Sequence, residues 1–166
     1  SGMWQFVPGT GKRFGMKQNW WYDGRRDVIA STQGAIKYLQ YLNKFFDGDW
    51  LLALAAYNSG EGRVKRAMKN NARKNKPTDF WSLDLPRETR AYVPKLLALA
   101  DVINRPEDFN IKLYEIENKG QITSIDIKSQ LDLAKAAKLA DLSLAELQRL
   151  TPGFNRWATD PAGPHH

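Results

Sequence analysis

The sequence predicts a mainly α-helical chain followed by a small α+β appendage, and three observations carry that expectation. Apolar residues recur at three- and four-residue spacing along 28–46. The first 109 residues contain no alternating strand pattern, whereas short β-rich runs follow Asn110. The chain has 166 residues, of which 42% are hydrophobic, enough for a real core and too apolar for wholesale disorder. These patterns divide the chain into 1–109 and 110–166.

Asp27 is placed to cap the first long helix, whose stripe is Val28, Ile29, Ile36, Leu39, Leu42, Phe45 and Phe46. Asp47-Gly48-Asp49 is turn chemistry, with Asp49 able to cap the next helix. That helix, 50–57, is apolar on every face and so belongs at the centre of the core. It stops at Asn58-Ser59-Gly60, and a basic helix runs over 63–74. Lys76-Pro77-Thr78-Asp79 breaks the pattern, and Phe80-Trp81 anchors the loop after it. Pro86 suits the first position of another helix, in which Leu96, Leu97, Leu99, Val102 and Ile103 follow and Pro94 should introduce a kink. Residues 111–116 and 121–127 read as a hairpin around Glu117-Asn118-Lys119-Gly120. Asp132 caps a helix through Leu142, and Ser143-Leu144-Ala145-Glu146 is a capping box that opens another.

Composition removes several chemistries. There is no cysteine, so disulfides, thiol nucleophiles and thiolate metal sites are excluded. Both histidines stand at the extreme C-terminus, which removes His-based zinc sites and Ser-His-Asp triads from consideration. Hydrolytic or lytic chemistry therefore has to rest on carboxylates. The longest apolar run, 50–57, is too short to span a bilayer. The opening Ser1-Gly2-Met3-Trp4-Gln5-Phe6 has neither an initiator methionine nor a leader pattern and reads as the interior of a longer sequence.

Charge is uneven. Residues 1–109 hold 18 Lys and Arg against 11 Asp and Glu, while 110–166 hold 7 of each. Arg63, Lys65, Arg66, Lys69, Arg73, Lys74 and Lys76 follow one another without an intervening acid. Such a run suits nucleic acid, an acidic membrane surface or a carboxylate-bearing polymer, and it equally suits a solvated helix face.

Two short segments combine polar and apolar groups in a way that fits a ligand. Ala56-Tyr57-Asn58-Ser59-Gly60 leaves a buried helix at a glycine, which fits a cleft wall and also an ordinary helix stop. Gln5 lies among Met3, Trp4 and Phe6, where its amide either reads a ligand or satisfies local backbone. Five of the six tryptophans fall in the first 109 residues; they serve as core or as flat faces for sugar rings.

Three motifs occur in order: Gly2-Met3-Trp4-Gln5-Phe6-Val7-Pro8-Gly9-Thr10, Ala56-Tyr57-Asn58-Ser59-Gly60-Glu61-Gly62-Arg63-Val64 and Glu88-Thr89-Arg90-Ala91-Tyr92-Val93. Their order resembles the family 1 lytic transglycosylases, whose lysozyme-like helical SLT domain carries a GLMQ-type, an AYN-G-G and an ET-x-x-Y-V motif. The likeness is strong over 1–109. It is weaker in the tail, where Asn155-Arg156-Trp157-Ala158-Thr159-Asp160-Pro161 resembles a segment leading to LysM repeats, and 122–154 loosely resembles a LysM-type unit or forms a structural brace.

The resemblance implies cleavage of the β-1,4 bond between N-acetylmuramic acid and N-acetylglucosamine in peptidoglycan. One glutamate protonates the leaving oxygen and then accepts the proton of the muramyl 6-hydroxyl, leaving a 1,6-anhydro end and consuming no water. Residue by residue, it implies that Met3 and Gln5 line the cleft and that Tyr57 and Asn58 bond the sugar and its N-acetyl group. Tyr92 supports the opposite side, and Glu88 contacts a peptide stem or caps its helix. The family's catalytic glutamate stands before the GLMQ-type motif, so it falls ahead of Ser1 and the SLT domain is read as lacking its first helix, with part of its core uncovered. Glu61 and Glu88 lie at helix starts, where the ionised form is favoured, so neither is expected to replace it. The 166 residues alone are expected not to cleave glycan.

The implied partner is peptidoglycan glycan strands, with no nucleic acid, cofactor or metal, a monomeric state, and a periplasmic or cell-envelope location. Anchoring to a membrane is expected only through segments outside these residues. The alternative is a non-catalytic peptidoglycan-binding module.

Overall fold

The computed structural model describes residues 2–120 and 122–166 and is helical throughout its regular parts. The α-helices are α1 (Pro8–Arg13), α2 (Val28–Phe45), α3 (Trp50–Ser59), α4 (Glu61–Ala72), α5 (Arg87–Asn104), α6 (Leu133–Leu139) and α7 (Leu144–Leu150). Short 3₁₀ turns stand at Phe80–Ser82 and Pro106–Phe109. Two compact units form: Tyr38–Asn118, and Ser1–Lys37 together with Lys119–His166.

In the first of these, α3 packs against both α4 and α5. Its buried residues are Leu52 and the small Ala53, Ala55 and Ala56, which let neighbouring backbones approach closely. Asp49 caps α3, its carboxylate accepting from the Leu51 and Leu52 amides at 2.9 and 3.0 Å. Gly60 ends α3 and starts α4 with φ 90°, a left-handed conformation that a side chain would strain. Pro86 is the cap of α5 rather than its first residue, and α5 runs unbroken through Pro94. Thr89 and Val93 are its buried contacts. Beyond them Leu97, Leu99 and Ile103 are exposed.

The expected hairpin does not form among the described residues of 111–127, which show no strand assignment. Gln121, at the start of its second run, lies outside the described residues. Tyr114 and Ile116 are about nine-tenths exposed, so a strand pair here would have no apolar face to cover, and an isolated hairpin is marginal in water. Among its described residues the appendage carries helices and no sheet; isolated bridges join Gln18 with Asp23, Tyr22 with Phe154 and Asp132 with Ala158.

The second unit contains α1, a helix absent from the sequence reading, with Pro8 in its first turn and no side-chain cap. Asp132 and the Ser143–Glu146 capping box start α6 and α7 as expected, although α6 ends at Leu139. The tail is stitched to residues 17–26. Asn155 N–H donates to the Trp21 carbonyl at 2.7 Å, and Asp23 N–H donates to Gly153 at 2.8 Å. Arg26 donates to the Phe154 carbonyl and to Asn155 Oδ1. Asp160, 1% exposed, pairs with Lys17 at 2.8 Å and accepts from Asn19 at 2.6 Å.

Candidate functional site

Two helices bring the polar residues of the second and third motifs together. The last turn of α3 carries Tyr57 and Asn58, and the first turns of α5 carry Glu88, Thr89 and Tyr92. On α5, Thr89 and Tyr92 are three residues apart and Glu88 and Tyr92 four, which sets all three on neighbouring parts of one face.

Asn58 is held at both ends of its amide. Thr89 Oγ1 donates to Asn58 Oδ1 at 2.7 Å, while Asn58 Nδ2 donates to Glu88 Oε1 at 3.4 Å. Thr89 is 1% exposed, so its hydroxyl is a buried donor that Asn58 satisfies. This fixes which way the Asn58 amide points and leaves its half-buried side chain at the surface of the cluster.

Tyrosines surround this pair. The Tyr57 ring lies 5.4 Å from Tyr38, which in turn stacks 6.4 Å from Tyr41. The Tyr38 hydroxyl donates to Glu61 Oε2 at 3.3 Å. Burial, with a smaller contribution from Tyr92, pushes the Tyr57 phenol up to about 12, and burial likewise raises Tyr92. Both stay neutral over ordinary pH and can donate or accept hydrogen bonds.

Two carboxylates belong to the cluster, and neither sits in a dry pocket. Glu88 is exposed and engaged by Asn58, and Glu61 is half-buried and engaged by Tyr38. A general acid that is protonated near neutrality requires desolvation. Among the described residues no group of three or more His, Cys, Asp or Glu is arranged to hold a metal ion.

Four of the six site residues expected from the sequence thus meet: Tyr57, Asn58, Glu88 and Tyr92. Met3 and Gln5 belong to the other unit. Met3 is exposed, and Gln5, with φ 53°, donates from its amide to the Gly2 carbonyl at 2.7 Å. That is the local backbone role open to it in the sequence. Trp4 binds Thr32 Oγ1 through its indole N–H at 2.8 Å. Two residues escaped the sequence reading. Thr89 stands inside its motif, but its donor role depends on the pairing of α3 with α5. Tyr38 was signalled by a phenol on an otherwise apolar stripe.

The unit holding the tail has its own concavity, about 450 Å³, lined by Leu133, Gln148, Thr151, Phe154, Asn155 and Trp157 among others. Beside it, Trp20, Trp21 and Trp157 form an edge-to-face cluster, with the Arg156 guanidinium 3.9 Å from the Trp20 ring centre.

Residues 1–80 match the transglycosylase SLT domain family. Residues 121–166 match a second family, described as the LysM-like domain of lytic transglycosylase MltD. Membrane-bound lytic murein transglycosylase D of Escherichia coli K12 is 44% identical over all 166 residues, which cover 37% of that protein. A putative tributyltin chloride resistance protein of Alteromonas sp. strain M-1 is 42% identical over 108 residues, 65% of this chain and 52% of the relative. The soluble lytic murein transglycosylase of Salmonella typhimurium is 32% identical over 105 residues, 59% of this chain and 16% of its own length. The chain therefore spans little more than a third of the E. coli relative it matches end to end.

Proposed function

We propose that this chain is the glycan-binding part of a peptidoglycan lytic transglycosylase of the bacterial cell envelope. The reaction is non-hydrolytic cleavage of the MurNAc–GlcNAc β-1,4 bond with formation of 1,6-anhydro ends. The observation that carries the reading is the clamped Asn58, oriented by Thr89 and Glu88 and flanked by Tyr57 and Tyr92. A rigid amide beside neutral phenols suits an N-acetylated sugar, because the amide can pair with the acetamido group while the phenols meet ring hydroxyls. In this reading residues 1–109 form the SLT domain with 110–166 as its appendage, and Met3 and Gln5 keep the substrate-contacting roles that the motif resemblance gives them.

The proton donor in this reaction is the family's glutamate, which has no counterpart among these residues. Glu61 and Glu88 are assigned to positioning: one holds Tyr38 and the other Asn58. The 166-residue polypeptide accordingly binds glycan strands as a monomer and does not cut them. Co-sedimentation with purified sacculi tests this. The parent chain should pellet, and Asn58→Ala or Tyr92→Ala should reduce binding by about tenfold, as expected for loss of one buried polar contact. Equal binding by both variants would remove the assignment.

A further inference from the structure

The cationic run from Arg63 to Lys76 has no part in the cluster just described, and its geometry is specific. At 100° per residue, Val64, Ala67 and Asn71 form the buried side of α4. Arg63, Lys65, Arg66, Lys69 and Arg73 spread over the opposite side, an arc of roughly 160°. Lys74 and Lys76 continue the series past the helix end, and all seven side chains are exposed. Among the described residues none of the seven makes an ion pair; Lys65 instead lies 4.7 Å from the Phe45 ring centre.

Beside the end of this helix stands Trp81. Asn71 Nδ2, from the buried side of α4, donates to the Pro77 and Ser82 carbonyls, each at 2.8 Å, tying the intervening loop to the helix. Asp79 caps the 3₁₀ turn, and Phe80 is buried beneath it. Trp81 is thereby held on a rigid turn, yet it remains 64% exposed. Its ring meets Phe80 edge to face at 5.0 Å, which fixes the indole while leaving most of its surface open to solvent.

We infer that α4 and the Trp81 turn form a peripheral docking face for an anionic lipid bilayer. Charge complementarity sets the sign of the partner, and the shape of the face sets its class. The cations project from the convex side of a 12-residue helix about 18 Å long, which meets a plane more readily than it encloses a linear polymer. No aromatic residue interrupts 63–76, so bases would have nothing to stack on. Sugar chains are gripped by aromatic faces and amides, and this strip is almost purely cationic. A bilayer surface uses both features present: phosphate headgroups attract Lys and Arg, and an indole settles at headgroup level. The contact is peripheral, since no helix among the described residues is long and apolar enough to cross a membrane. It is independent of the glycan reading.

The test is flotation of the full 166-residue chain with vesicles containing about one-third phosphatidylglycerol in phosphatidylcholine, at low and high salt. The expected result is flotation with these vesicles, loss with phosphatidylcholine alone, and loss in high salt. The triple substitution Arg66→Glu, Lys69→Glu and Arg73→Glu should weaken partitioning by more than tenfold. Its unfolding temperature should match the parent's, because all three positions are exposed. Trp81→Ala should weaken partitioning by a smaller factor at unchanged salt dependence. Failure to float with anionic vesicles at low salt would overturn the inference, as would equal flotation of the triple variant. Tighter binding to duplex DNA or polyglutamate than to the anionic vesicles at equal charge would also overturn it, by assigning the face to soluble polyanions.

Discussion

Asn58 has both ends of its amide committed, and the buried Thr89 hydroxyl is the stronger of its two restraints. Thr89→Val keeps the volume but removes the donor, leaving Asn58 Oδ1 without that bond. It should lower stability by about 1–2 kcal/mol and loosen sacculus binding, whereas Thr89→Ser, which restores the donor, should recover the binding. Chemical denaturation and co-sedimentation of the two variants measure this. Tyr57 offers a spectroscopic handle. Its folded-state value of about 12 exceeds the ordinary 10.0, so its contribution to stability is complete below pH 10 and is lost as pH rises through about 12. Ultraviolet titration should show a late-ionising phenol that disappears in Tyr57→Phe.

At the level of elements, caps decide where the site residues stand. Asp49 fixes the start of α3 and so the position of its last turn, where Tyr57 and Asn58 lie. Asp49→Ala should cost about 1 kcal/mol, seen as a fall of several degrees in unfolding temperature. Gly60, with φ 90°, allows α4 to begin at once. Gly60→Ala should cost about 1–2 kcal/mol, even though a Cβ there meets nothing within 4 Å.

These same local signals explain what was legible in the sequence. Asp27, Asp49, Asp132 and Ser143–Glu146 are short-range chemistry, and each helix start they mark is present. The hairpin failed because β-rich composition specifies a strand only where a partner surface exists, and Ile116 has none in this structure. The six-residue α1 was missed because it lacks a side-chain cap and has too few residues for periodicity. Tyr57, Asn58, Glu88 and Tyr92 were readable because motif order carries them. Thr89's donor role needed the pairing of α3 with α5, a long-range fact that no local pattern contains.

Across the molecule, stability and chemistry reside in different places. In the unit formed by the chain's two ends, Asp160 is the buried charge that needs explanation. Burial works to raise its carboxyl, yet the hydrogen bonds from Lys17, Asn19 and the Ala162 amide, together with the Lys17 charge, hold it below the ordinary 3.8. Its stabilisation is therefore present above pH 3.8 and drains away as pH falls through the lower folded-state value. Asp160→Ala should cost roughly 1–3 kcal/mol, as its hydrogen bonds are lost while Lys17 stays solvated, and remove that part of the acid transition in a denaturation series. The Asn58 cluster lies in the other unit and should retain its Tyr57 titration in the variant.

The most direct test of the central claim is mass spectrometry of muropeptides released from purified sacculi by the 166-residue chain and by a version extended upstream of Ser1. 1,6-Anhydro ends are expected with the extended protein only, and should be lost from it on Asn58→Ala. Anhydro products from the 166 residues alone, or reducing ends in place of anhydro ends from the extended protein, would contradict that claim.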